Sequence, residues 1–127
     1  VTDIAEVEVL SPPENFTPGV LLASIIVPGN IVVYGWTVYS TKGSAQFINV
    51  FDANTLPANA AVPLFSAPIL ANNVSALAFP SNGRRFKTGL VLCNSSTDAT
   101  KTIGSADCFF DVQYQRLAQL YDVVPEV

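Results

Sequence analysis

Apolar residues along this chain alternate with polar ones or gather in short β-branched runs, and Pro, Gly and Asn interrupt them roughly every ten residues. That rhythm predicts strands rather than helices. Residues 3–10 put Ala5, Val7 and Val9 on one face and Glu6 and Glu8 on the other, as a half-buried strand does, and Ser11, Pro12 and Pro13 end it. Residues 20–27 and 31–40 are rich in Val, Ile, Tyr and Trp, and the Pro28-Gly29-Asn30 break between them fits a hairpin turn. In the second of these, alternation predicts Val33, Gly35, Thr37 and Tyr39 on one face. Val32, Tyr34, Trp36 and Val38 fall on the other, with Trp36 in the core.

A Lys-Gly-Ser turn leads into a strand over residues 45–51. Residues 52–68 carry Pro57, Pro63 and Pro68, each lacking a backbone donor, and are expected as loop or edge. Further strands are predicted over residues 74–79, 86–94 and 108–115, with a turn at 80–83 and a polar connector at 95–107. In the last strand Cys108, Phe110, Val112 and Tyr114 are expected to face inward, and residues 117–124 form one more strand or a pairing tail. The sum is a single all-β domain over residues 1–127: an antiparallel β-sandwich, jelly-roll-like, with eight or nine strands and extended termini. Residues 1–19 read as an N-terminal strand and Pro-rich arm, and residues 117–127 as a C-terminal tail.

Composition sharpens this picture. Half of the 127 residues are apolar and only 13% are charged, about half the usual charged share, so much of the surface is expected to be covered by other protein. The net charge of -4 and the small basic cluster of Arg84, Arg85 and Lys87 argue against a nucleic-acid partner, which needs a concentrated basic field. The apolar stretch at residues 20–38 is broken by Pro28-Gly29-Asn30, and neither flank approaches the roughly 20 residues of a spanning helix. The acidic opening segment has no basic leader, which predicts synthesis in a cytoplasm without export. On that expectation the sequons at Asn15, Asn73 and Asn94 stay unmodified, and Cys93 and Cys108, on what should be neighbouring strands, stay free thiols.

Chemistry is sparse. The chain has no His, which removes the commonest general base and most zinc sites. Glu6 and Glu8 lie on the polar face of a terminal strand, and neither Cys has an imidazole to make its thiolate. No Gly-rich phosphate loop or EF-hand loop occurs, and no spacing singles out Asp52, Asn54, Asp98 and Asp107 as cation ligands. No catalytic residue, cofactor or metal is expected, and the chain reads as a protein that binds and assembles.

One resemblance adds to this. Val33-Tyr34-Gly35 is followed by Ala45-Gln46-Phe47-Ile48-Asn49-Val50-Phe51-Asp52, a Pro-interrupted loop, Phe86-Lys87-Thr88-Gly89-Leu90-Val91-Leu92, a Ser/Thr-rich connector and Val112-Gln113-Tyr114. Over roughly two-thirds of the chain this order resembles the small β-sandwich proteins of tailed-bacteriophage virions, some of which decorate and cement the capsid shell. The resemblance implies a structural, non-enzymatic virion protein made in the bacterial host cytoplasm. Its implied partners are the major capsid protein and copies of itself, as a homotrimer. In such a protein the contact residues would be Val7, Val9, Leu10, Leu120 and Tyr121 on the termini, Leu56, Leu64 and Phe65 in the Pro-rich loop, and Arg84 and Arg85. A tail, neck or fibre component, or a glycan-binding module, is the competing reading. Glycan is the less favoured partner, because the only Trp sits mid-strand in an apolar run.

Overall fold

The computed structural model describes residues 3–124, with side chains described over residues 10–117. Ten strands and no helix run through them: β1 (Asp3–Leu10), β2 (Glu14–Phe16), β3 (Ser24–Pro28), β4 (Ile31–Ser40), β5 (Gln46–Asp52), β6 (Phe65–Ile69), β7 (Val74–Ala78), β8 (Arg84–Phe86), β9 (Gly89–Ser95) and β10 (Cys108–Val124). Two antiparallel sheets result. In the first, β10 pairs with β4 on one side and with β2 and then β1 on the other, while β7 and β8 share the far edge of β4. The second runs β3-β9-β5-β6. Four pairings nest inside one another: β2 with β10, β3 with β9, β4 with β7 and β5 with β6. That nesting over two sheets is the jelly roll the sequence predicts.

The core lies between the sheets. Ile31, Val33, Val38, Phe86, Phe110 and Val112 of the first sheet meet Ile25, Val27, Ile48, Val50, Ile69, Leu90 and Leu92 of the second. Each large side chain removed from water there contributes about 1.5–3 kcal/mol. Trp36 is buried as expected, stacked on Phe65 at 6.0 Å and edge-on to Phe79 at 5.4 Å. Cys108, Phe110, Val112 and Tyr114 all face inward. A second cluster of Phe51, Val91 and Cys93 covers the outer side of the second sheet, with Ala53, Ala61 and Ile103 from the two long connections packed over it. Strand β9 is therefore buried on both faces along its whole length.

The alternation expected for β4 breaks in the middle. Ile31 and Val33 are buried, and so are Trp36, Val38 and Ser40, so the inward set changes parity. The cause is a β-bulge: Gln113 pairs with Gly35 but Tyr114 pairs with Val33, which leaves Tyr34 as an extra residue. Residues 20–27 are not one strand either. Leu22 exchanges two backbone hydrogen bonds with Cys108 of the first sheet, whereas the carbonyl of Ala23 already accepts from Asn94 of the second. The chain changes sheet there, so pairing on a single ladder is impossible. Residues 86–94 likewise divide between β8 and β9, which belong to different sheets. The Asp52 carboxylate holds that crossing by accepting the backbone N–H groups of Lys87, Thr88 and Gly89. Of the Pro-marked residues 52–68, the end forms the edge strand β6, with Pro68 opposite Phe47.

Gly35 fits where no side chain would. A Cβ there would stand 2.6 Å from the carbonyl oxygen of Leu77 on β7, and both backbones are fixed in the ladder. Gly35→Ala should cost about 1–3 kcal/mol and lower the melting temperature by several degrees. Gly43→Ala, whose Cβ would meet open space, should not. Equal melting of the two variants would refute this packing.

Candidate functional site

The two termini are not separate arms. Residues 3–10 pair in unbroken antiparallel register with residues 117–124, from Asp3 opposite Val124 to Leu10 opposite Leu117. Val7 faces Leu120 and Val9 faces Ala118 across this ribbon, and Glu6 faces Tyr121. The side chains of Val7, Val9, Leu120 and Tyr121 lie outside the described set, as do residues 1–2 and 125–127 altogether. Pairing between β10 and β4 stops at Arg116 and Ile31, so the ribbon carries β10 beyond the sandwich. Ser11 manages the join, donating its N–H to the Arg116 carbonyl and accepting the Arg116 N–H on its hydroxyl, both at 2.8 Å. Among the described residues no strand pairs with the outer edge of β1 or with the β4-facing edge of residues 118–124. Charge divides at the same join. Asp3, Glu6, Glu8, Asp122 and Glu126 lie outside residues 11–116 with no basic residue beside them, while residues 11–116 hold all six basic residues against five acidic ones.

The remaining expected contact residues scatter. Leu56 and Leu64 are exposed on the connection between β5 and β6, and Leu10 is exposed at the ribbon base. That connection is tied down by Lys101, buried to 2% exposure, whose Nζ donates to Asn59 Oδ1 at 2.9 Å while its backbone pairs with Ala60 and Ala61. Phe65 is no free plug: it lies between the Trp36 ring and the Arg84 guanidinium, which sits 5.1 Å from its centroid. Arg84 also covers Phe86 at 5.7 Å and so closes the core. Arg85, one residue on, reaches away to Asn30 Oδ1 at 3.1 Å. The two arginines therefore do not share a face, because successive strand residues point in opposite directions.

Sequence reasoning missed an apolar row across the outside of the first sheet. Register aligns Val74, Tyr39 and Phe109 on β7, β4 and β10, and they are 49%, 40% and 40% exposed. The single bridge between Leu22 and Cys108 carries Leu21, 41% exposed, to the register position beside Phe109. The signal was present in the alternation, since an inward Phe110 requires an outward Phe109.

No protein-family model matches the sequence, and a search of the curated proteins returns no match. Among solved structures the chain is similar to the coat protein of tobacco streak virus, at 13% identity over 95% of this chain and 91% of that one, with a TM-score of 0.38.

The polar groups inside the sandwich hold structure. At one end of it Asp107 Oδ1 accepts from Gln46 Nε2 at 3.1 Å, Asn94 Nδ2 at 2.9 Å and the Cys108 thiol at 3.2 Å. Burial pushes the Asp107 carboxyl up, but these bonds and the charge of Lys42 outweigh it and hold the group below its ordinary value. Cys93 and Cys108 belong to different sheets and different clusters rather than to neighbouring strands, and both are free and buried. Burial raises Cys93 to about 11 against a smaller opposing effect of Lys101. Burial, the bond to Asp107 and the Asp107 charge raise Cys108 to about 12. Two consequences follow for experiment. The folded protein should react negligibly with a maleimide at neutral pH and take up two equivalents once denatured without reductant; rapid labelling of the native protein would overturn the burial of these thiols. Because the folded pKa values exceed the unfolded one, the thiol contribution to stability is complete below pH 9 and is lost as pH rises towards 11 and 12. Replacing both residues by Ala should flatten that alkaline loss.

Proposed function

We propose that this chain is a structural virion protein that joins subunits through its ribbon and its exposed apolar row. The ribbon carries this reading. It extends β10 past the sandwich and leaves backbone donors and acceptors unpaired along two edges among the described residues, and such edges recruit strands from other chains. The apolar row supports it, because exposed contiguous apolar surface marks protein contacts. The jelly roll serves capsid proteins and lectins alike, so fold alone does not choose between them. Among the described residues no three His, Cys, Asp or Glu side chains gather as a metal site, and the reading assigns no catalysis.

The finer version is a protein that decorates and cements a tailed-bacteriophage capsid as a homotrimer, with the major capsid protein as its second partner. It rests on the sequence resemblance described above. Removing residues 1–10 and 117–127 tests the ribbon directly. Every core residue among those whose side chains are described lies within residues 11–116, so the truncated chain should melt within a few degrees of the full one yet lose binding to particles and, by sedimentation, its trimeric state. Unchanged particle occupancy after truncation would exclude the ribbon as the cement. A full-length chain that stays monomeric at micromolar concentrations would exclude the trimer.

A further inference from the structure

Beyond assembly, the outer face of the first sheet holds a feature of another kind. Register places Asn15, Gln113, Gly35 and Ala78 in one row across β2, β10, β4 and β7. Asn15 and Gln113 are a directly opposed, exposed pair of amides. Next to them the surface falls away, because Gly35 has no side chain and β7 passes too close to allow one. Two open depressions, of about 410 and 260 Å³, meet at Gln113. Together they form a trough across the strands, with Glu14 and Asn15 at one end and the small residues Ala76 and Ala78 at the other.

The bulge in β4 gives this trough an aromatic wall. Tyr34 is half-buried, and its hydroxyl donates to Gln115 Oε1 while Gln115 Nε2 donates to the Ser11 carbonyl at 2.8 Å. The ring is thus fixed before any ligand arrives. Among the described residues the side chains of Glu14, Asn15 and Gln113 have no hydrogen-bond partner. Planar amides present a donor and an acceptor side by side, which matches adjacent hydroxyls on a sugar ring. A tyrosine plate takes the apolar face of such a ring, and the larger depression falls within the usual size of ligand sites. No Lys or Arg lines either depression, and the Glu14 carboxylate repels anions, so acidic sugars and phosphates are disfavoured. A peptide strand would seek unpaired backbone at an edge, whereas this trough runs across paired strands. We infer that the trough binds a neutral oligosaccharide, with Gln113 at its centre and Tyr34 as the stacking surface.

Titration of the full-length, ¹⁵N-labelled chain with maltotriose, cellotriose, chitotriose and lactose, followed by NMR, tests this; sialyllactose and a sulfated disaccharide form the anionic arms. At least one neutral sugar should shift the amides of Asn15, Gly35 and Gln113 saturably, at about 10 mM ligand or less. Gln113→Ala should weaken that binding about tenfold or more, and Tyr34→Ala should abolish it. Asp98→Ala, on the distant connector, should leave it unchanged. Gln113 is exposed and makes no side-chain bond, so its variant keeps the fold even where the Tyr34 variant does not. Absence of shifts with every neutral sugar, equal binding of the anionic arms, or full affinity in Gln113→Ala would each overturn the assignment. None of these outcomes bears on the ribbon.

Discussion

Backbone groups shut away from water have to be paired, and in the first sheet that requirement converges on β10. Its seventeen residues accept β4 along one edge and β2 and β1 along the other. Strand β4 in turn carries β7 and β8. Displacing β10 would strip β1 and β2 of their only partner among the described residues, unpair one edge of β4, and open the core over Phe110 and Val112. The apolar side chains supply most of the free energy, but the ladder decides which of them face each other. The single bulge at Tyr34 shows how local that control is. One unpaired residue turns Trp36 into the core, and it lifts Tyr34 onto the surface beside Gln115.

The sandwich ends are closed by polar groups rather than by more hydrocarbon. At one end Asp107 gathers Gln46, Asn94 and Cys108, and Asn94 also donates to the Ser105 carbonyl at 2.6 Å. At the other, Arg84 lies over Phe65 and Phe86. Both arrangements let a polar group finish an apolar layer without leaving a charge unpartnered in the interior. They also explain why so few charged residues suffice. Several of the charged groups the chain has are spent on closure and on the Asp52 turn, and the termini keep most of the net charge.

Much of this was legible in the residues. Period-two alternation located β1, β4, β7 and the first half of β10, and the jelly-roll expectation held because turn residues recur at the spacing of short strands. Alternation misled in β4, since a bulge leaves no mark in a list of side chains. It also ran strands together at residues 20–27, where the chain changes sheet within an apolar stretch, and at 86–94, where the change falls at Lys87-Thr88-Gly89. Arg84 and Phe65 looked like surface candidates because a guanidinium covering two rings is a tertiary arrangement. The trough was hidden for the same reason. Asn15, Gln113 and Gly35 are far apart along the chain, and only register makes them neighbours.

The nested pairing has a consequence for how the chain reaches this state. Val50 meets Phe65, then Tyr39 meets Val74, Pro28 meets Gly89 and Phe16 meets Val112, so each pairing encloses the one before it. Closing a loop costs entropy that grows with its length, and once an inner pair has formed the next has only a short stretch left to close. The chain can therefore zip outward from the β5–β6 hairpin, although its outermost contacts are long-range and would be slow to find unaided. On such a path the terminal ribbon is the last element to form, and a neighbouring subunit meets its edges only after the sandwich behind them is complete.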